Sequence, residues 1–280
     1  MSKSSTTSYP DQAYTMTTLP WATAFALILI TTAFVSLPQM HKAPLLTDTP
    51  SATQLRLLYI LPALHRTKPP ARQRGTPIHL LIVLGSGGHT AEMLSLLTNL
   101  DSNSYTHRSY LTSSGGDFSA GKAQEFERGL VGKDLSATGR RDYSIHTVPR
   151  ARGIHQSLLT SPLTSLHCLY TCLLLLFKHP QGYPDLILTN GPATSLILIL
   201  ASTILRYFAF LPMLSNPGSG NSRIVAGKMR VIYVESWARV KRLSLSGRVI
   251  VWCGLCDRVL VQWKGLETRG WGEYRGALVR

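Results

Sequence analysis

Residues 80–90 read LLIVLGSGGHT: five apolar side chains in a row, then a turn holding Gly85, Gly87 and Gly88 and closing on His89 and Thr90. An apolar run without alternation is the pattern of a strand covered on both faces, which implies a parallel sheet. Glycines after such a strand reach backbone conformations closed to other residues and let amide groups approach a ligand closely. A helix beginning near His89 brings its positive end to the same place, where an anion is stabilised. The stretch predicts a strand, a phosphate-accepting turn and a helix, in that order.

Working outward, the same alternation continues. Strands are predicted at 78–84, 107–111, 144–148, 185–189, 230–234 and 258–262, and helices at 89–100, 119–128, 155–178, 192–208 and 241–254. Runs such as DLILT and RVLVQ again lack alternation. The expectation is a Rossmann-like, doubly wound α/β domain over residues 76–280. Two of the helical stretches, 157–177 and 192–214, are apolar enough to suggest membrane spans. They are read as crossover helices instead, because each follows a strand at crossover spacing and Pro162 and Arg206 interrupt them. Residues 215–228 (SNPGSGNSRIVAGK) read as a mobile glycine- and serine-rich loop.

The chemically informative residues share one position, just past the strands: GSGGHT (85–90), TSSGGDFSAGK (112–122), PRARG (149–153), TNGP (189–192) and ESWAR (235–239). In an open parallel sheet, ligands bind beyond the carboxyl ends of the strands. Gly85, Ser86, Gly87, Gly88 and Thr90 form the candidate anion cradle. His89 is either a ligand for phosphate or an acceptor hydroxyl, or only part of the first helical turn. Asp117 either positions a sugar hydroxyl or caps the following helix. Arg150 and Arg152 suit pyrophosphate, since guanidinium forks match phosphate oxygens, although a solvated surface explains them equally. Asn190 and Gly191 open a helix at Pro192 or touch the ligand. Glu235 ends an apolar strand, where a carboxylate is costly unless partnered. It binds an acceptor hydroxyl, acts as a base, or pairs with Arg239; Ser236 adjoins it. A dinucleotide fingerprint is excluded, because its last glycine is replaced by Thr90 and no acid follows at the required spacing.

The 29 Lys and Arg against 14 Asp and Glu give a net charge of +15, which favours anionic partners. No finger, RNA-binding signature or continuous basic block accompanies the charge, so nucleic acid is not expected. Cys168, Cys172, Cys253 and Cys256 lie in apolar contexts and read as buried thiols rather than zinc ligands. Residues 1–18 are Ser- and Thr-rich and predict a short lumenal N-terminus. Positions 19–37 carry no charge and, as a helix, span about 28 Å, enough for a membrane anchor. A cleaved signal peptide is the competing reading, weakened by a thin basic n-region. Residues 38–75, with scattered Lys and Arg, form a membrane-proximal linker, and this excess puts the following domain in the cytosol.

Taken together, LGSGGHTAEMLSLL, SSGGDFSAGKAQEFE, VPRARGIHQS, PDLILTNGPATS, VIYVESWARVKRLSLSGRV and DRVLVQWKGLE resemble one family across residues 78–280. It is the asparagine-linked glycosylation protein fourteen family, the membrane-anchor subunits of the eukaryotic dolichol-linked UDP-N-acetylglucosamine transferase. The extra glycine of SSGGD and the length of 215–228 depart from its pattern. The resemblance implies the acceptor-side half of a GT-B glycosyltransferase, completed by a small partner that binds UDP-N-acetylglucosamine. It implies addition of the second N-acetylglucosamine to dolichol-pyrophosphate-N-acetylglucosamine at the cytosolic face of the endoplasmic reticulum. One set of Rossmann-like elements agrees with a non-autonomous subunit. His89 and Glu235 are then the catalytic candidates, and the other loop residues bind acceptor and pyrophosphate. No metal or other cofactor is expected. A pure recruitment scaffold and a stand-alone nucleotide-sugar-binding enzyme remain as alternatives.

Overall fold

The computed structural model describes residues 60–61, 77–98, 100–101, 104–133, 142–153, 156–157, 160–191, 193–208, 229–267 and 272–278. The expected anchor at 19–37, its flanking segments and the 215–228 loop lie outside the described residues. Chain contacts separate a unit at Met1–Pro44 from one at Leu45–Arg280, and every described residue belongs to the second.

Seven strands form one parallel sheet: β1 (His79–Val83), β2 (His107–Ser113), β3 (Asp142–Val148), β4 (Leu186–Asn190), β5 (Arg230–Val234), β6 (Arg258–Val261) and β7 (Glu273–Tyr274). Their order is β3-β2-β1-β4-β5-β6-β7, with parallel pairing throughout. The helices with described bounds are α1 (Gly88–Leu96), α2 (Asp117–Lys133), α3 (Ser161–Phe177), α4 (Ala193–Phe208), α5 (Leu245–Cys253) and α6 (Lys264–Glu267). α1 packs on α2, while α3 packs on α4 and α4 on α5. These two groups are what right-handed crossovers produce when strand order reverses at β1 and β4. The six expected strands and five expected helices are present; α6 and β7 are additions too short to leave a periodic signal. α2 begins at Asp117, two residues earlier than expected, and α3 begins at Ser161, six later.

β1 is buried at all five positions, as its unalternated run demands, and pairs with β2 on one side and β4 on the other. Leu80, Ile82 and Leu84 pack with Met93, Leu97 and Tyr110 into one core cluster. Each such side chain contributes about 1.5–3 kcal/mol through burial. α3 and α4 pack on one another: α4 buries Leu198, Ile199, Ala201, Ser202 and Leu205, and α3 buries Cys168, Leu169, Cys172 and Leu176. Among the described residues no helix is long and apolar enough to cross a membrane, in line with reading these two as crossovers. All four cysteines are buried and free.

One polar cluster interrupts the core beneath α2. Arg108 is fully enclosed, and its Nε and Nη2 each donate to a Glu127 carboxylate oxygen at 2.6 Å. The Tyr110 hydroxyl donates to the same carboxylate at 2.6 Å, and Arg108 Nη1 donates to the Tyr105 carbonyl at 2.8 Å. Burial alone would weaken the guanidinium's hold on its proton, but Glu127 and Tyr110 more than offset it and raise the pKa. The phenol is pushed well up, first by burial and then by the neighbouring carboxylate.

Candidate active site at the sheet switch point

Strand order reverses between β1 and β4, and the loops after these strands open the crevice that such a reversal creates. The β1 loop turns on Gly87, at φ 52, and no side chain caps α1. Thr90 and Ser119 secure the turn from below. Their hydroxyls lie 2.8 Å apart and reach the Gly85 carbonyl at 2.6 and 2.9 Å. Thr90 is therefore a buried tie between the loop and α2, while Ser86, Gly87 and Gly88 are exposed.

His89 lies against the end of β4. Its Nδ1 is 3.1 Å from Asn190 Oδ1, and Asn190 Nδ2 donates to Glu92 Oε2 at 2.8 Å. Glu92 Oε1 in turn accepts from the Ser236 hydroxyl at 2.9 Å. Glu92 accepts from both the Ser236 hydroxyl and Asn190 Nδ2, which turns the NH2 group of Asn190 toward itself and the oxygen toward His89. Nδ1 must then carry the imidazole proton, leaving Nε2 as the acceptor. The His89 side chain is 33% exposed, against 15% for Glu92. The result is a partly exposed imidazole whose neutral tautomer is set by a part-buried chain of Asn190, Glu92 and Ser236.

Gly191 is required by this arrangement twice over. It takes φ 74, and a Cβ at that position would sit 2.5 Å from His89 Cε1. β4 thus ends on a residue whose missing side chain is the space that the ring fills.

Glu235 is turned inward. It is 0% exposed, and its Oε2 accepts from the Ser244 amide and hydroxyl at 3.1 Å each, while Oε1 accepts from the Ser236 amide at 3.2 Å. Ser244 also caps α5, its hydroxyl accepting from the Gly247 amide at 3.0 Å. A side chain at Gly247 would collide with Glu235 Oε2. Burial raises the pKa of the carboxyl, while the Ser244 and Ser236 hydrogen bonds and the charge of Arg239 pull the other way. Of the alternatives the sequence left open, a partnered carboxylate is what is found: Ser244 and Ser236 supply the hydrogen bonds, and Arg239 acts through its charge.

The remaining expected residues lie along the same edge, farther from His89. Arg150 Nε donates to the Ser114 carbonyl at 2.8 Å and its Nη2 to the Gly115 carbonyl at 3.4 Å, clasping the β2 loop. The Arg152 guanidinium reaches the Gln156 carbonyl at 3.0 Å. Asp117 is exposed in the first turn of α2, where its charge favours the helix dipole. Two participants were not singled out from sequence. Glu92 stands three residues after His89, one helical turn along, which is the spacing that puts both on one face. Trp237 is 40% exposed beside Ser236 and rests on Trp263, with ring centroids 4.6 Å apart and the Trp263 Nε1 donating to the Trp237 carbonyl at 2.8 Å.

Fold and site define an open, parallel α/β protein with a polar crevice at its switch point, built around a glycine turn and a tautomer-fixed histidine. Comparison with known families narrows the class. The family described as "Oligosaccharide biosynthesis protein Alg14 like" matches residues 80–278, and the chain belongs to it. It is 40% identical over 229 residues to the UDP-N-acetylglucosamine transferase subunit alg14 of Aspergillus fumigatus, covering 67% of this chain and 100% of that one. It is 38% identical to the Yarrowia lipolytica protein of that name (80% and 92% covered) and 33% identical to the human one (69% and 78%). Among solved structures, Acinetobacter baumannii MurG matches with a TM-score of 0.40 at 14% identity, over 68% of this chain and 43% of that one.

Proposed function

We propose that the chain is the acceptor-binding, membrane-anchoring subunit of a two-protein UDP-N-acetylglucosamine transferase, and that it forms the acceptor-side half of a GT-B cleft. Membership of the Alg14 family supports this reading, as does the word "subunit" in the names of its relatives. The acceptor is dolichol-pyrophosphate-N-acetylglucosamine, and the product carries a second N-acetylglucosamine. Residues 19–37 anchor the chain in the endoplasmic reticulum membrane with its α/β domain in the cytosol, where a small UDP-N-acetylglucosamine-binding partner joins it.

In the reaction, the acceptor 4-hydroxyl oxygen attacks the anomeric carbon of the donor sugar. The bond from that carbon to the diphosphate oxygen breaks, UDP leaves with the electron pair, and the hydroxyl proton passes to His89 Nε2. The single observation that carries this assignment is the His89–Asn190–Glu92 chain, which engages Nδ1 and leaves Nε2 as the acceptor of the neutral ring. Glu235 braces the β5 loop beneath it. Ser86, Gly87, Gly88 and the start of α1 receive the acceptor pyrophosphate, with Arg150 and Arg152 at the outer rim.

The test is co-purification of the full chain with its partner from membranes, followed by transfer assays on the complex. His89→Ala should retain the partner and reduce transfer about 10²–10⁴-fold, the usual contribution of a general base. Undiminished transfer with a normal complex would leave the chain as a recruitment scaffold. Transfer by the purified chain without any partner would overturn the two-protein reading.

A further inference from the structure

At the opposite end of the sheet from the crevice, histidines from three separate elements meet. His79 and His107 are the first residues of β1 and β2 and are register partners, which puts their side chains next to one another on one face. His179 arrives from the connection between α3 and β4. Ring centroids are 4.8 Å apart for His79–His107, 4.5 Å for His79–His179 and 6.0 Å for His107–His179. One ring nitrogen from each lies within 4.8 Å of the other two. His79 and His179 are buried and His107 half-buried, and no other such trio occurs among the described residues.

We propose that His79, His107 and His179 form a binding site for a zinc-class divalent cation that fastens the amino edge of the sheet. The donor set decides the chemistry. Three imidazoles without carboxylate or thiolate suit zinc and its neighbours in the first transition row, not calcium or magnesium, which take oxygen ligands. Zinc bonds to imidazole at about 2.0–2.1 Å, so the three nitrogens must draw to about 3.3 Å apart. That closure is within the reach of ring rotations. Zinc also tolerates the distortion, having no geometric preference of its own.

The Ser109 hydroxyl stands at the centre, 2.9 Å from His79 Nε2 and 3.0 Å from His179 Nε2, and it is backed by Ser144 at 3.0 Å. It supplies either the fourth ligand or a hydrogen bond to a bound water. His146 lies beyond, its ring centroid 5.1 Å from that of His179 and its Nε2 held by Ser144 at 3.0 Å. The scaffold is already tight: the His79 amide donates to Asp185 Oδ2 at 2.9 Å and the Asp185 amide donates back to the His79 carbonyl at 2.9 Å. Ligation by a ring nitrogen replaces the hydrogen bond it now makes: to Ser109 for His79 Nε2 and His179 Nε2, or to the Gln181 amide, at 3.3 Å, for His179 Nδ1.

The experiment is titration of the chelator-treated full chain with zinc chloride, read by calorimetry and thermal melting. The expected result is one equivalent bound with Kd on the order of 1 μM or tighter, and a raised Tm. The His79→Gln/His179→Gln variant should lose both effects, and His167→Gln, an exposed histidine on α3, should keep them. Should the double variant fold poorly, wild-type chain loaded with cobalt decides the matter. A tetrahedral visible spectrum without a thiolate charge-transfer band supports the site, and X-ray absorption should count three imidazoles. A thiolate band, or zinc affinity equal in wild type and double variant, overturns it.

Discussion

Ser236 donates a 2.9 Å hydrogen bond to Glu92, joining the loop after β5 to the first helix across 144 residues of chain. Through Asn190 the same carboxylate reaches His89, so the loops after β1, β4 and β5 meet on one acid. Glu92 acts through its neighbours, and its removal should disturb the chemistry more than the fold.

Glu92→Gln gives Asn190 a partner that both donates and accepts, which frees the amide to flip and the His89 proton to move to Nε2. Transfer by the complex should fall about 10- to 100-fold, with partner co-purification unchanged. Nitrogen NMR of the His89 ring checks the cause: wild type should show the Nδ1–H tautomer, and the variant a mixture.

Gly191→Ala places a side chain in left-handed backbone, which costs about 1–2 kcal/mol, and drives a methyl into the His89 ring. The expected outcome is a Tm lowered by several degrees together with a larger loss of transfer than strain alone explains. A melting curve and an assay on the same preparation separate the two.

The enclosed Arg108–Glu127 pair predicts an asymmetry. Removing one partner, as in Glu127→Leu, leaves a buried guanidinium uncompensated and should cost about 3–5 kcal/mol. Replacing both, as in Arg108→Met with Glu127→Leu, should recover much of that loss, short of the partner that Tyr110 also needs. Urea unfolding of the three variants forms the test.

Glu235 accepts from three donors and has no room for an NH2 group among them, so Glu235→Gln should destabilise the domain by about 1–3 kcal/mol. The sign with pH follows from its raised pKa. The folded state keeps this proton longer than the unfolded chain does, so the contribution is full below 4.5, the ordinary value, and is lost as pH rises through the folded pKa. Stability measured upward from pH 4.5 should therefore carry a decline in wild type that the Gln variant lacks.

The sheet was legible because buried parallel strands advertise themselves. LLIVL has no polar position and DLILT has them only at its two ends, and each run is followed by a glycine or asparagine that marks the carboxyl edge. The same logic brought His89, Asn190, Gly191 and Ser236 to one edge, where the structure finds them. Glu92 escaped because it sits inside a helix, where an acid reads as surface, and only the long-range approach of Ser236 and Asn190 gives it a task. Glu235 was recognised as a carboxylate in an apolar setting, but its partners depend on the path of the loop to Ser244, which no local spacing reveals. The histidines at 79, 107 and 179 are separated by whole strands and helices, and strand register alone makes neighbours of them.

The linkage of Gly85, Asn190 and Ser236 to their supporting side chains has a consequence for assembly. In the two-protein reading proposed above, this wall of the crevice is preorganised before partner and acceptor arrive, so association need not be offset by the entropy of ordering it. Whatever rearranges on complex formation should lie on the other protein's side, and the rate of productive encounter should depend on that protein's motions.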